Sequence, residues 1–148
     1  MIHHILVPVD CSCVTDALVE KAKECARAFN AEICLLHVEA EPESSRFSRG
    51  PEYEQDERAA KNACADYSHL NDIKDSISTG GLSAKAVILQ GDVTEIILQE
   101  ARQSKADLII IGSHGHGALY HLLLGSVSEG VLREAPCPVM IVPSREDG

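Results

Sequence analysis

Between Gly112 and Ser128 the chain reads GSHGHGALYHLLLGSVS, which puts four glycines, three histidines and three serines between an apolar run and a helical pattern. Glycines at such a strand-to-helix junction let backbone amides approach an anion closely, and a helix N-terminus adds further donors. The chemistry this favours is phosphate binding, with Ser126 and Ser128 supplying hydroxyl donors at the helix start. Two better-known phosphate patterns do not fit. A P-loop needs a lysine, and there is none between Gly112 and Arg133. The dinucleotide pattern G-x-G-x-x-G should follow the first strand, where this chain has Asp10-Cys11-Ser12. The HGHG string at His114 to Gly117 has the wrong order, and follows the wrong strand, for the His-x-Gly-His signature of nucleotidyl-transferring enzymes.

The same region permits a second chemistry. Cys11 and Cys13 follow the first apolar run, and His114, His116 and His121 follow the fourth. If those runs are neighbouring strands, thiols and imidazoles could converge on a metal such as zinc. Cys-x-Cys and His-x-His are not the usual structural-zinc spacings, so a divalent ion carried by phosphate oxygens is the stronger expectation. His3, His4, His37 and His69 carry no expected function, and Cys137 is expected to pack at a helix end.

Composition narrows the partners. Thirteen Lys and Arg against twenty-three Asp and Glu leave a net charge of -10, and no basic cluster offsets it, which argues against nucleic acid. Two Phe, three Tyr and no Trp leave little surface for stacking bases. No run reaches membrane-spanning length and no leader pattern opens the chain, so a cytosolic protein without membrane insertion is expected. The six cysteines lack any Cys-x-x-Cys pair and read as reduced thiols, several of them core filler.

The elements that must position the glycine stretch follow from periodicity. Ile2 to Val9 is a β-rich run, and after Ser12 a helical pattern carries Val14, Ala17, Leu18, Ala22, Cys25, Ala28 and Phe29. Ala31 to Val38 is a second strand, and the acidic Glu39 to Glu57 region reads as a solvated loop and helix face. A helix from Tyr53 ends at Gly80-Gly81, and Ala84 to Gln90 is a third strand. Gly91-Asp92 turns into a helix over Thr94 to Ser104 that carries Ile96, Ile97 and Ala101 inward. Strand Asp107 to Ile111, the glycine stretch, a helix from about Ser126 to Ala135 and strand Pro138 to Val142 complete the chain. Such alternation predicts one α/β domain over residues 1–148 with a mostly parallel sheet, whose ligand site lies beyond the carboxyl ends of the strands.

The spacing Gly112-x2-Gly115-x9-Gly125-Ser126 resembles the G-x2-G-x9-G-[ST] pattern of the ATP-binding branch of the universal stress protein family. The blocks HHILVPVD, ICLLHV, GDVTEIILQEA, ADLIIIGSHG and CPVMIVP extend the resemblance over nearly the whole chain. It implies a Rossmann-like five-stranded parallel sheet of order 3-2-1-4-5 with helices on both faces. It further implies that Asp10 and Val38 lie on the adenine and ribose side, with Pro8 and Val9 also among the nucleotide-binding residues. Gly112, Ser113, His114, Gly115, His116, Gly125, Ser126, Val127 and Ser128 would hold the ribose and phosphates. The implied ligand is ATP, with AMP or ADP as competitors and Mg or Mn on the phosphates. The implied assembly is a homodimer through Pro138 to Val142.

Two positions depart from the family's habit. His116 stands where Arg or Lys often follows the second motif glycine, and Cys11 stands where Gly or Phe often follows the aspartate. The expected protein is a stress-related nucleotide-binding regulator read by an unknown protein partner rather than an enzyme. Between Gly112 and Glu129 the loop has no lysine, arginine or carboxylate, so any ATP hydrolysis should be slow. The alternatives are a slow Mg-dependent hydrolase using His114 or His116, and a metal or thiol sensor using Cys11, Cys13 and the loop histidines.

Overall fold

A computed structural model describes residues 1–9, 15–39, 68–112 and 126–142. Strands β1 (His4–Pro8), β2 (Glu32–Glu39), β3 (Ala84–Gln90), β4 (Leu108–Gly112) and β5 (Val139–Val142) form one parallel sheet of order β3-β2-β1-β4-β5. Parallel neighbours require crossovers, and helices supply them. These are α1 (Thr15–Phe29), α2 (helical over 68–79), α3 (Val93–Gln103) and α4 (Ser126–Glu134).

Because side chains alternate across a strand, the sheet buries two separate cores. On one face Ile5, Val7, Ile33, Leu35 and Ile110 pack with Leu18, Val19, Ala22 and Ala26 of α1 and with Leu70 and Ile77 of α2. On the other, Leu6, Cys34, Leu36, Ile109 and Ile111 pack with Ile97, Leu98 and Ala101 of α3 and Val131 of α4. Two helices therefore lie on each face. The chain changes face between the elements that follow β1 and those that follow β4.

Several sequence expectations shift by a residue or a face. The inward stripe of α1 is Leu18, Val19, Ala22, Cys25 and Ala26, whereas Ala17, Ala28 and Phe29 are exposed. In α3 the buried positions are Ile97, Leu98 and Ala101, with Ile96 only half-buried. Strand β5 begins at Val139, and the Pro138 carbonyl accepts from the Ile109 amide at 3.0 Å. Glu39 closes β2 with its Oε1 buried and without a hydrogen-bond partner among the described residues, so it is no part of a solvated loop. The rest of that acidic region, and the start of the helix expected from Tyr53, lie outside the described residues.

Turn chemistry ends and starts the elements. Asn30 and Lys105 take positive φ just after α1 and α3, where the helices reverse into strands. Asp92 caps α3, its Oδ1 accepting from the Glu95 amide at 3.0 Å. Gly91, at φ 146°, makes the turn before it, and its amide donates to the Glu39 carbonyl at 3.0 Å.

Candidate functional site

The carboxyl ends of β1, β2 and β4 converge at the point where the chain changes face. β1 and β4 are hydrogen-bond neighbours, but their paired register is confined to Ile5↔Leu108 and Leu6↔Ile109. Beyond Leu6 and Ile109, β1 stays in register with β2 as far as Pro8↔Leu36 and β4 with β5 as far as Gly112↔Val142. The carboxyl ends of β1 and β4 thus lie at the topological switch point, where ligands of open α/β sheets bind.

Each strand delivers a different residue to that point. Pro8 ends β1, and Val9, 5% exposed, follows it. Gly112 ends β4 opposite Val142 and is half-buried. β2 reaches further than β1, so Val38 and Glu39 extend past Pro8 while remaining paired to Leu89 and Gln90 of β3. Val38 packs, half-buried, against the α3–α4 core.

Helix α4 begins at Ser126, with Val127 half-buried against the α3–α4 core and Ser128 in its first turn. Its first amides lack intrahelical acceptors and form the positive end of the helix dipole. Gly112 and Ser126, the first and last positions of the glycine pattern, are therefore the end of β4 and the start of α4. The structure brings Pro8, Val9, Val38 and Gly112 to the carboxyl ends of three adjacent strands. Asp10, Ser113, His114, Gly115, His116 and Gly125 lie outside the described residues, as do the metal candidates Cys11, Cys13 and His121. Among the described residues no group of three His, Cys, Asp or Glu side chains is placed to hold a metal, and no helix is long and apolar enough to cross a membrane.

The described thiols are all raised above the ordinary thiol value. Burial pushes the Cys34 thiol up to about 11 and raises Cys25 and Cys137 as well, so all three are held in the protonated form at neutral pH. Cys25 and Cys34 are buried in the two cores, as core filler should be.

One residue near the switch point was not anticipated. His37, which periodicity marks only as a strand residue, aims its Nδ1 at the Val9 carbonyl at 3.1 Å. A carbonyl oxygen only accepts, so Nδ1 carries the proton in that bond. The adjacency of β1 and β2 would have brought His37 near Val9, but the use of a side chain on a strand's carbonyl is set by where β1 stops.

Comparison with known proteins places these features in a family. The model of the universal stress protein family matches residues 1–143. Universal stress protein MJ0577 of Methanocaldococcus jannaschii is 30% identical over 154 residues, covering 96% of this chain and 95% of that one. Its solved structure has a TM-score of 0.83 at 31% identity, covering 100% of this chain and 99% of that one. Two more distant structures share the fold. One is a universal stress protein in complex with cAMP (TM-score 0.71, 22% identity, 96% and 97% of the two chains). The other, from Arabidopsis thaliana, has AMP bound (TM-score 0.68, 23% identity, 98% and 94%).

Proposed function

The chain belongs to the universal stress protein family, and from that membership we propose that it is a cytosolic adenine-nucleotide-binding regulator that acts as a homodimer. The observation that carries the reading is the topological switch point between the adjacent parallel strands β1 and β4, with Gly112 ending β4 and α4 starting at Ser126. Two proteins of the same fold were solved with cAMP or AMP, which supports an adenine nucleotide as the occupant.

In this reading Pro8, Val9, Asp10 and Val38 meet the base and ribose. Gly112, Ser113, His114, Gly115, His116 and Gly125 carry the loop around the phosphates, and Ser126, Val127 and Ser128 present the first amides of α4 to them. ATP suits this donor set, because amides and hydroxyls can meet phosphate oxygens without a lysine. A Mg or Mn ion, when bound, would neutralise part of the phosphate charge. With no lysine, arginine or carboxylate between Gly112 and Glu129, turnover is slow and the bound nucleotide acts as a signal to a protein partner.

The dimer reading rests on β5. It is the last strand of the sheet, and its Val139, Met140 and Ile141 are half-buried. Pairing the outer edge of β5 with a second copy would cover an apolar strand edge that soluble proteins avoid leaving open.

The test is calorimetric titration of nucleotide-free protein with Mg-ATP, repeated with Gly115→Val. Binding by the wild type that disappears in a folded variant is the expected result. Absence of binding by demonstrably ligand-free wild type would overturn the nucleotide reading.

A further inference from the structure

The chain has two methionines, and they stand in opposite surroundings. Met1 is 99% exposed. Met140 lies on β5 opposite Ile110 of β4, and its half-buried side chain packs against the core beneath α1. There the Cys25 thiol donates to the Met140 thioether, with Sγ 4.0 Å from Sδ. This contact ties α1 to the last strand of the sheet. Of the two sulfurs, the thioether is the one ready to take an oxygen atom. A thiol reacts as its thiolate, and burial raises the Cys25 thiol above its ordinary value. A thioether keeps its lone pairs at every pH. One pair attacks hydrogen peroxide, an S–O bond forms as the O–O bond breaks, and the departing oxygen takes the proton of the transferred one. Methionine sulfoxide and water are the products, the sulfur being oxidised and the peroxide reduced by two electrons.

We infer that Met140 is a peroxide-sensitive switch on β5, where oxidation to the sulfoxide loosens the strand from α1 and disrupts the edge offered to a second copy. Two sulfurs 4.0 Å apart leave no room for an atom between them, so an oxygen on the Cys25 side drives α1 and β5 apart. On the other lone pair, the oxygen puts a strong dipole on an apolar strand, between Val139 and Ile141. Both epimers therefore weaken the seat of β5. The strand is only four residues long, so it has little other pairing with which to absorb the change. The inference rests on the dimer reading above for its consequence, whereas the loosening of β5 can be measured in any oligomeric state.

The experiment treats the wild type and Met140→Leu with dilute hydrogen peroxide and follows each by peptide mass, thermal unfolding and sedimentation velocity. In the wild type Met140 gains one oxygen, more slowly than Met1, which serves as the exposed reference. The melting temperature then falls by about 3–8 °C, and the dimer dissociation constant rises roughly tenfold. Methionine sulfoxide reductases A and B, one for each epimer, reverse both changes, and dithiothreitol alone does not. Met140→Leu has no sulfur at this position, so its melting temperature and oligomeric state are the same before and after treatment. If Met140→Leu does not fold, Met140→Ile takes its place in the same comparison. Met140 left unmodified when Met1 is fully oxidised would overturn the inference, as would a sulfoxide at Met140 with no melting shift. So would a shift that persists in Met140→Leu or reverses with dithiothreitol alone, since either assigns the response to cysteines. A wild type that is monomeric before treatment would sink the dimer reading, and the melting shift would still decide whether Met140 loosens β5.

Discussion

Gly130 of α4 lies so close to Thr94 of α3 that a Cβ at Gly130 would sit 2.7 Å from Thr94 Cγ2. That contact sets how near the two helices approach on the α3–α4 face, and with it where the first turn of α4 stands relative to the end of β4. Glycine inside a helix costs about 1 kcal/mol relative to alanine, so the position is retained against local preference.

Gly130→Ala should therefore lower stability by about 1–2 kcal/mol despite its better helix propensity, because overpacking outweighs the gain. Thermal or urea unfolding reads the loss. Adding Thr94→Ser, which removes the offending methyl, should recover most of it, and strictly additive effects of the two changes would show that the contact is not the cause.

Asp107 anchors the start of β1 to the start of β4. Its Oδ2 accepts from the His3 amide at 2.8 Å and the His4 amide at 3.1 Å, and these two bonds hold the carboxyl below its ordinary value of 3.8. A depressed folded value means that the contribution is present above about pH 4 and is lost as pH falls through the lower folded value. Asp107→Asn, which can still accept but does not titrate there, should flatten this part of the acid limb of the stability profile. An unchanged limb would assign the acid sensitivity to other carboxylates.

Cys34 should resist modification. With its thiol pushed up to about 11 by burial, alkylation at pH 7.5 should be far slower in the native protein than in urea, and mass mapping of the labelled peptides reports it. The raised value also means that Cys34 favours the folded state below the ordinary thiol value of 9.0, and that this contribution is lost as pH rises from there through about 11. Cys34→Ala should weaken that alkaline decline while costing some packing energy in the core.

His116 stands where the family often has a basic residue, and if the proposed nucleotide binds there its phosphates would favour the protonated form of His116. ATP affinity should therefore rise as pH falls from about 8 to about 6. Titration calorimetry at several pH values should show the slope in the wild type and its loss in His116→Arg. An equal slope in both proteins would place the titrating group elsewhere.

By itself the sequence determined the alternation of strands and helices, and it supplied the loop in which the site is proposed. Apolar runs such as ICLLHV and DLIII read as strands covered on both faces, the patterns between them read as crossover helices, and the Gly112 to Ser126 spacing resembles a nucleotide-binding loop. The predicted strand order 3-2-1-4-5, implied by the family resemblance, is the order the structure has. Tertiary structure decided what depends on where neighbouring elements stop and how close they come. Phe29 satisfies the helical period yet lies 43% exposed at the last position of α1. Gly130 reads as a helix weakness until Thr94 is placed against it. His37 is an ordinary strand residue until β1 ends at Pro8 and leaves the Val9 carbonyl to its ring. Periodicity reports which face of its own element a residue occupies, whereas these three facts belong to the distance between elements, which no local pattern carries.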